Sequence, residues 1–208
     1  MKNKIKTIIF DLGGVMLDLD LNSTIQAFTS LLNWRPTELD NLHFGNTFFQ
    51  QYERGQINDQ EFRSEIRLLS KNKISDDSID KAWNTMLLQF PKNRIDVVIA
   101  LKKRYSVMVL SNTNQIHSVK FNDLIAASTG YKSLDDVFDR LYYSHILKMR
   151  KPEPGIYQFV LNENRLAPEE TLFLDDNKEN LEAAGKLGIK TVHINHPNTI
   201  FETFKAWI

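Results

Sequence analysis

The chain has 208 residues, of which 42% are hydrophobic, 11% aromatic and 25% charged. That is the composition of a globular domain that buries roughly 70% of its unfolded surface. Lys+Arg and Asp+Glu both number 26, so no net field draws the molecule to nucleic acid or an anionic membrane, and the absence of cysteine excludes disulfides, thiolate metal sites and cysteine nucleophiles.

The first residues, Met1-Lys2-Asn3-Lys4, are basic, but the apolar run behind them meets Asp11, and Asp18 and Asp20 follow. This is too short and too charged for an export signal or a membrane span, and the protein is expected to be soluble and cytoplasmic. The first strand is Ile8-Ile9-Phe10, ending at Asp11. No strand signal appears from about Leu21 to Leu88. Leu21, Ile25, Phe28 and Leu32 keep helical spacing, and Asn58-Asp59-Gln60-Glu61 reads as a capping box. Behind it Phe62, Ile66 and Leu69 form a buried stripe, and Ile79, Ala82, Trp83, Met86 and Leu87 form another. An all-helical insert of about four helices is therefore expected, with Phe44, Phe48, Phe49 and Tyr52 in its core.

Three further apolar runs follow: Val107-Met108-Val109-Leu110, Thr171-Leu172-Phe173-Leu174 and Thr191-Val192-His193-Ile194. Each is short and β-prone without alternation of faces, as expected for parallel strands covered on both sides. Leu141-Tyr142-Tyr143-Ser144 is a weaker fifth candidate. Helical patterns at Ile156, Phe159 and Val160 after Pro152 and Pro154, and at Leu181 and Ala184 before Gly188, separate the later strands. The alternation predicts a doubly wound α/β sheet of Rossmann-like type, with residues 1–20 and about 91–208 as the core domain and about 21–90 as a small helical cap.

Open α/β sheets bind ligands outside the carboxyl ends of their strands. The residues expected there are Asp11, Ser111-Asn112, Lys151 and Asp175-Asp176. Three clustered carboxylates stay ionised at neutral pH only with a compensating cation, and oxygen ligands with substrate phosphate suit Mg²⁺. Lys151 and Ser111 remain to hold phosphate oxygens, which outlines a site for phosphoryl transfer on a small phosphorylated metabolite, with neither nucleic acid nor membrane as partner. Neither the G-x-G-x-x-G fingerprint nor the P-loop pattern is present, no histidine pair has zincin spacing, and no G-x-S-x-G elbow occurs. His193 and His196 are expected to be structural.

Phe10-Asp11-Leu12-Gly13-Gly14-Val15, Leu110-Ser111-Asn112-Thr113, Arg150-Lys151-Pro152 and Leu174-Asp175-Asp176-Asn177 with Asn180 resemble, in order and spacing, the four motifs of the haloacid dehalogenase superfamily of aspartyl-phosphate phosphatases. The helical insert after the first motif corresponds to a C1-type cap. Tyr52-Glu53-Arg54-Gly55, Ser111-Asn112-Thr113-Asn114 and Met149-Arg150-Lys151-Pro152-Glu153 are similar to segments of the bacterial α-D-glucose-1-phosphate phosphatase group. The resemblance implies Asp11 as nucleophile, with Asp11, the Gly13 carbonyl and Asp176 as Mg²⁺ ligands. It further implies Ser111, Asn112 and Lys151 as phosphate contacts, and Asp175 and Asn180 as residues supporting the ligands.

Gly13 departs from the superfamily's usual pattern, in which a second Asp serves as general acid and base. Such help is worth roughly 10²–10⁴-fold. Either the substrate carries an activated leaving group, such as an anomeric or acyl oxygen, or the cap supplies an acid or an ordered water from residues such as His43 or Glu53. The reading is thus a Mg²⁺-dependent phosphatase of a small sugar phosphate, with α-D-glucose 1-phosphate expected. The alternatives are a catalytically weak or silent phosphate-binding protein and a haloacid dehalogenase, the latter disfavoured because halide displacement needs no divalent ion at Asp175-Asp176.

Overall fold

The computed structural model describes residues 4–34, 48–70 and 73–208. His43 and Phe44 lie outside the described residues. Five parallel strands, β1 (Thr7–Phe10), β2 (Ser106–Ser111), β3 (Arg140–Tyr143), β4 (Thr171–Asp175) and β5 (Lys190–His193), form one sheet in the order β3-β2-β1-β4-β5. The chain runs outward from β1 through β2 to β3, then crosses back to place β4 on the other side of β1. The order therefore reverses between β1 and β4, which is where a doubly wound sheet opens a crevice.

Helices flank the sheet on both faces because alternate strand residues point to opposite sides. Ile9, Met108, Leu110 and Phe173 pack with Ile156, Tyr157, Val160 and Ala184, from helices Pro154–Glu163 and Lys178–Lys186. On the other face Ile8, Phe10, Val107, Val109, Leu172 and Leu174 meet Ile95, Val98, Phe121 and Phe204, from helices Lys92–Lys102, Gln115–Thr129 and Thr199–Phe204. β1 and β4 are wholly buried, and β2 nearly so. The expectation of two-sided cover fails for Thr191-Val192-His193-Ile194: β5 starts at Lys190, stands at the edge of the sheet, and is half exposed.

Between β1 and β2 the described chain forms α1 (Leu21–Leu32), α2 (Phe48–Glu53), α3 (Asp59–Leu68) and α4 (Asp76–Asn84), before α5 (Lys92–Lys102) returns to the sheet. Asp20 caps α1 through the amides of Asn22 and Ser23, and Asn58 with Glu61 forms the expected capping box of α3. The interior of this insert is aromatic. Phe62 stacks on Tyr52 at 4.3 Å, and its ring lies 5.4 Å from Trp83 and 5.8 Å from Phe49. This cluster is continuous with the core on the α5 side of the sheet.

Two chain crossings join insert to sheet, and they pair with each other. Asp18 N donates to Gln89 O at 2.9 Å, Leu88 N to Asp18 O at 3.0 Å and Asp20 N to Met86 O at 2.9 Å. Buried Arg94 on α5 holds the entering segment through Val15 O at 3.0 Å and Asp18 Oδ1 at 2.7 Å. Phe62, 0% exposed, is the keystone of the insert's packing. Phe62→Ala is expected to destabilise the protein by about 3–5 kcal/mol, read by urea unfolding monitored by tryptophan fluorescence. A loss below about 1 kcal/mol would mean the aromatic cluster collapses around the vacancy.

Candidate active site

Asp11 is the first residue beyond β1, and its amide donates to Leu174 O at 2.9 Å across the β1–β4 junction. Asp175 ends β4 and Asp176 follows it, so the sheet register brings the three carboxylates together. One ligand atom from each of Asp11, Asp175 and Asp176 lies within 4.8 Å of the others. Gly14 makes room for this approach. Its backbone has φ +70° and a Cβ there would collide with Asp176 Oδ2, so the position needs glycine on both counts.

Lys151 enters from the loop before helix α9 (Pro154–Glu163), following α6 (Gln115–Thr129), α7 (Leu134–Val137) and α8 (Ser144–Leu147). Its Nζ lies 2.9 Å from Asp11 Oδ1 and 2.6 Å from Asp175 Oδ2, and 5.3 Å from the centre of the Phe173 ring. The residue is 1% exposed. Asn112 grips its backbone from both sides, with Asn112 Nδ2 donating to Lys151 O and Lys151 N donating to Asn112 Oδ1, each at 2.9 Å. Asp175 is further engaged by Asn177 N at 2.8 Å and by Asn180 Nδ2, which reaches both its oxygens at 3.1 Å. Asp175 therefore orients the ammonium, and Asn180 orients Asp175.

The charge balance of this cluster is incomplete. Burial pushes the Asp11 carboxyl up to about 7, against the attraction of Lys151 and with added repulsion from Asp175 and Asp176. Asp176 is raised by its surroundings and by Asp175. Burial alone would lower Lys151, but Asp11 and Asp175 outweigh it and hold the ammonium above its ordinary range. One cation facing three carboxylates leaves a deficit that a hard divalent ion fits, and its charge would reverse the upward pressure on Asp11. The donor set is all oxygen, with Asp176 the most exposed of the three.

Ser111, the last residue of β2, is 3% exposed and lines a cavity of about 300 Å³ with Asn112, Gly13 and Glu53. Gly13 has no side chain to offer, and the space beside it is taken: a Cβ there would stand 2.8 Å from Leu19 Cδ1. Glu53, at the end of α2, is brought to the sheet. Arg150 Nη2 donates to its Oε2 at 3.0 Å, and Ser144 Oγ donates to its carbonyl at 2.6 Å. Burial raises its carboxyl and Arg150 opposes the rise. The neighbouring pair Arg54–Glu153, at 2.5 Å, crosses the same junction with the charges exchanged.

Asp11, Asn112, Lys151, Asp175, Asp176 and Asn180 thus come together, and Gly13, Ser111 and Glu53 line a cavity that Asn112 shares. Several neighbours were not singled out. His193, expected to be structural, has its Nε2 3.0 Å from the carbonyl of Asp176 and steadies the loop that carries it. Ser144 and Leu19 carried no sequence signal. Arg150 did, since Glu53-Arg54 and Arg150 with Glu153 are complementary charge pairs in the sequence.

A family model described as haloacid dehalogenase-like hydrolase matches residues 5–188. The chain is 35% identical over 188 residues to the D-ribitol-5-phosphate phosphatase of Bacteroides thetaiotaomicron, covering 90% of each. It is 28% identical to the (S)-2-haloacid dehalogenase 4A of Burkholderia cepacia, over 94% of this chain and 85% of that one. Among solved structures, a haloacid dehalogenase family enzyme of B. thetaiotaomicron in complex with magnesium and inorganic phosphate superposes with a TM-score of 0.83 at 35% identity. The match covers 91% of this chain and 93% of that one.

The raised Asp11 has a consequence for stability without metal. Its carboxyl moves from 3.8 to about 7 on folding, so between those values the unfolded chain releases a proton that the folded chain keeps. The contribution that Asp11 makes to stability is then fully present below about pH 4, is lost as pH rises towards 7, and is absent above. In EDTA the melting temperature is expected to fall across that window, and Asp11→Asn is expected to flatten the dependence. An unchanged slope in the variant would contradict it.

Proposed function

The chain belongs to the haloacid dehalogenase-like hydrolases, and from that premise we propose that it is a magnesium-dependent phosphatase of a small sugar or polyol phosphate, acting through Asp11 in the cytoplasm. The observation that carries the reading is the buried Lys151 ammonium bridging Asp11 and Asp175 beside a carboxylate cluster of divalent-ion character. The magnesium and inorganic phosphate held by a relative of the same fold support it. The Asp175-Asp176 pair favours phosphate over halide chemistry, although a relative is a haloacid dehalogenase. Residues 21–90 are assigned as a C1-type cap over a core of residues 1–20 and 91–208.

The geometry supports the following roles. Asp11 Oδ1 accepts from Leu12 N at 2.7 Å and from Lys151. Among the described residues Oδ2 carries no hydrogen bond, and it is the oxygen assigned to attack phosphorus. Asp11, Asp176 and the Gly13 carbonyl would hold Mg²⁺, which when bound offsets the repulsion between carboxylate and phosphate. Lys151 and the Ser111 hydroxyl, with the Asn112 backbone N–H, bind the equatorial oxygens and stabilise the charge that spreads over them. The phosphoryl group passes to Asp11 as the ester oxygen leaves. Water then attacks phosphorus and returns Asp11 as a carboxylate, dividing one difficult displacement into two. The insert excludes bulk water during the first step.

Gly13, with Leu19 across it, leaves no acid beside the departing oxygen at that position. The substrate therefore carries a leaving group that departs with little protonation. An anomeric phosphate such as α-D-glucose 1-phosphate meets this condition. D-Ribitol 5-phosphate, suggested by the relative's name, does not unless Glu53 or a residue outside the described segments supplies a proton.

Phosphate release from acetyl phosphate, α-D-glucose 1-phosphate, D-ribitol 5-phosphate and an n-alkyl phosphate is the test. Turnover is expected only with Mg²⁺ and to fall by roughly 10³-fold or more in Asp11→Asn. Chelator-resistant release, or halide release from 2-chloropropionate at a comparable rate, would overturn the reading. Gly13→Asp combined with Leu19→Ala restores both an acid and its space, and is expected to raise alkyl phosphate turnover relative to acetyl phosphate, by up to roughly 10²-fold. An unchanged ratio would mean that leaving-group protonation does not limit the reaction.

A further inference from the structure

The cavity of about 300 Å³ has Ser111 and Asn112 in its wall, the residues assigned to the phosphate. A phosphate held by them therefore has this cavity beside it, and the volume admits a body of sugar size. Its lining is electrically one-sided. Leu12, Leu19, Leu21, Ile25, Trp83 and Phe121 supply apolar wall, and Glu53 is the one acidic or basic side chain besides His117 among the described lining residues.

His117 adds no charge at neutral pH. Its Nε2 is engaged with Trp83 O at 3.1 Å and its Nδ1 with Asn114 Nδ2 at 3.2 Å, and burial lowers its pKa to about 4. The cations of the site stand outside the wall. Lys151 is spent on Asp11 and Asp175. Arg150 holds Glu53 Oε2 at 3.0 Å, which favours the carboxylate form, yet neither Arg150 nor Lys151 lines the cavity. Of the Glu53–Arg150 pair, only the carboxylate borders the space.

The phosphate and the group esterified to it thus meet opposite conditions. The phosphate has Lys151 and the cation-binding carboxylate cluster. An anionic substituent on the esterified group would lose its water against apolar walls and find no cation among the described lining residues. It would also meet the like charge of Glu53. These costs apply wherever in the cavity the substituent comes to rest.

We propose that the site selects phosphomonoesters whose esterified group is uncharged, with Glu53 as the residue that excludes a second anionic group. This rests on the phosphatase reading and narrows it. Phosphates of neutral sugars and polyols fall inside the class, whereas sugar acid phosphates, bisphosphates and nucleoside di- and triphosphates fall outside. The exclusion is a device of specificity: an unfavourable charge contact with the wrong substrate discriminates without any new contact to the right one.

Two matched pairs test it: α-D-glucose 1-phosphate against α-D-glucuronate 1-phosphate, and phenyl phosphate against 4-carboxyphenyl phosphate, with acetyl phosphate as reference. Each pair keeps its leaving oxygen and differs by one carboxylate. The uncharged member is expected to have the higher kcat/KM, by roughly 10²-fold or more, the scale of an unpaired like charge. Glu53→Gln is expected to narrow both ratios by roughly tenfold. Leu21→Lys, at a lining position that is 60% exposed, puts a cation in the wall and should narrow them by an independent route. If acetyl phosphate is hydrolysed with Mg²⁺ while the members of each pair are turned over equally, this inference falls and the phosphatase reading stands. If neither variant moves the ratios, because both members slow alike, the selection does not arise from this lining and the inference falls. If nothing is hydrolysed, both fall together.

Discussion

A lysine ammonium buried between two aspartates organises this molecule. Removing either carboxylate would leave the buried Lys151 charge with a single partner, and removing Lys151 would leave Asp11 and Asp175 repelling each other with little solvent between them. Such pairs are costly to break, by about 3–5 kcal/mol, even when they add little net stability. The sheet order delivers this arrangement. Only a reversal between β1 and β4 places Asp11 and Asp175 on adjacent strand ends, and only the Asn112 clamp on β2 fixes the Lys151 backbone opposite them. The remaining negative charge is what makes the cluster a cation site rather than a closed ion pair.

The insert is tied to that centre at two places of different character. Its crossings pair as a short antiparallel ribbon pinned by Arg94, a contact that constrains the insert's path without touching the site. Its far end, from Glu53 to Gly55, docks on the loop that carries Lys151. Ser144 Oγ and Lys148 Nζ donate to the Glu53 and Gly55 carbonyls, and Arg150 grips the Glu53 carboxylate. Gly55 is required there by its φ of +57° and by the closeness of the His145 carbonyl. Arg150 directly precedes Lys151, so the contact that docks the insert adjoins the residue that carries the buried ammonium.

Much of this was legible in the sequence because the strands are short, apolar and end in polar residues. Phe10-Asp11, Leu110-Ser111 and Leu174-Asp175 each mark a strand's carboxyl end, and the structure ends its strands within a residue of those points. Helices α5 and α6 were harder to see. Arg94 and His117 are buried polar residues at positions where an amphipathic pattern expects a hydrophobe, so the helical period is masked. β5 was read as fully covered because Val192 and Ile194 are apolar, but edge position depends on strand order, which no local pattern carries. The same limit applies at Gly13. Its missing acid was evident, whereas the Leu19 side chain filling that space came from a crossing six residues away that only tertiary structure folds back.

Covalent transfer of the phosphoryl group to Asp11 is the central proposal for this site, and the most direct measurement is to trap it. The protein would be mixed with Mg²⁺ and acetyl phosphate, quenched in acid within the first turnover, and reduced with borohydride, which converts an aspartyl phosphate to homoserine. Peptide mass spectrometry would then locate the modified position. Homoserine in place of Asp11, dependent on both Mg²⁺ and substrate, is the predicted result. Rapid phosphate release with Asp11 unmodified, or modification at another carboxylate, would contradict it.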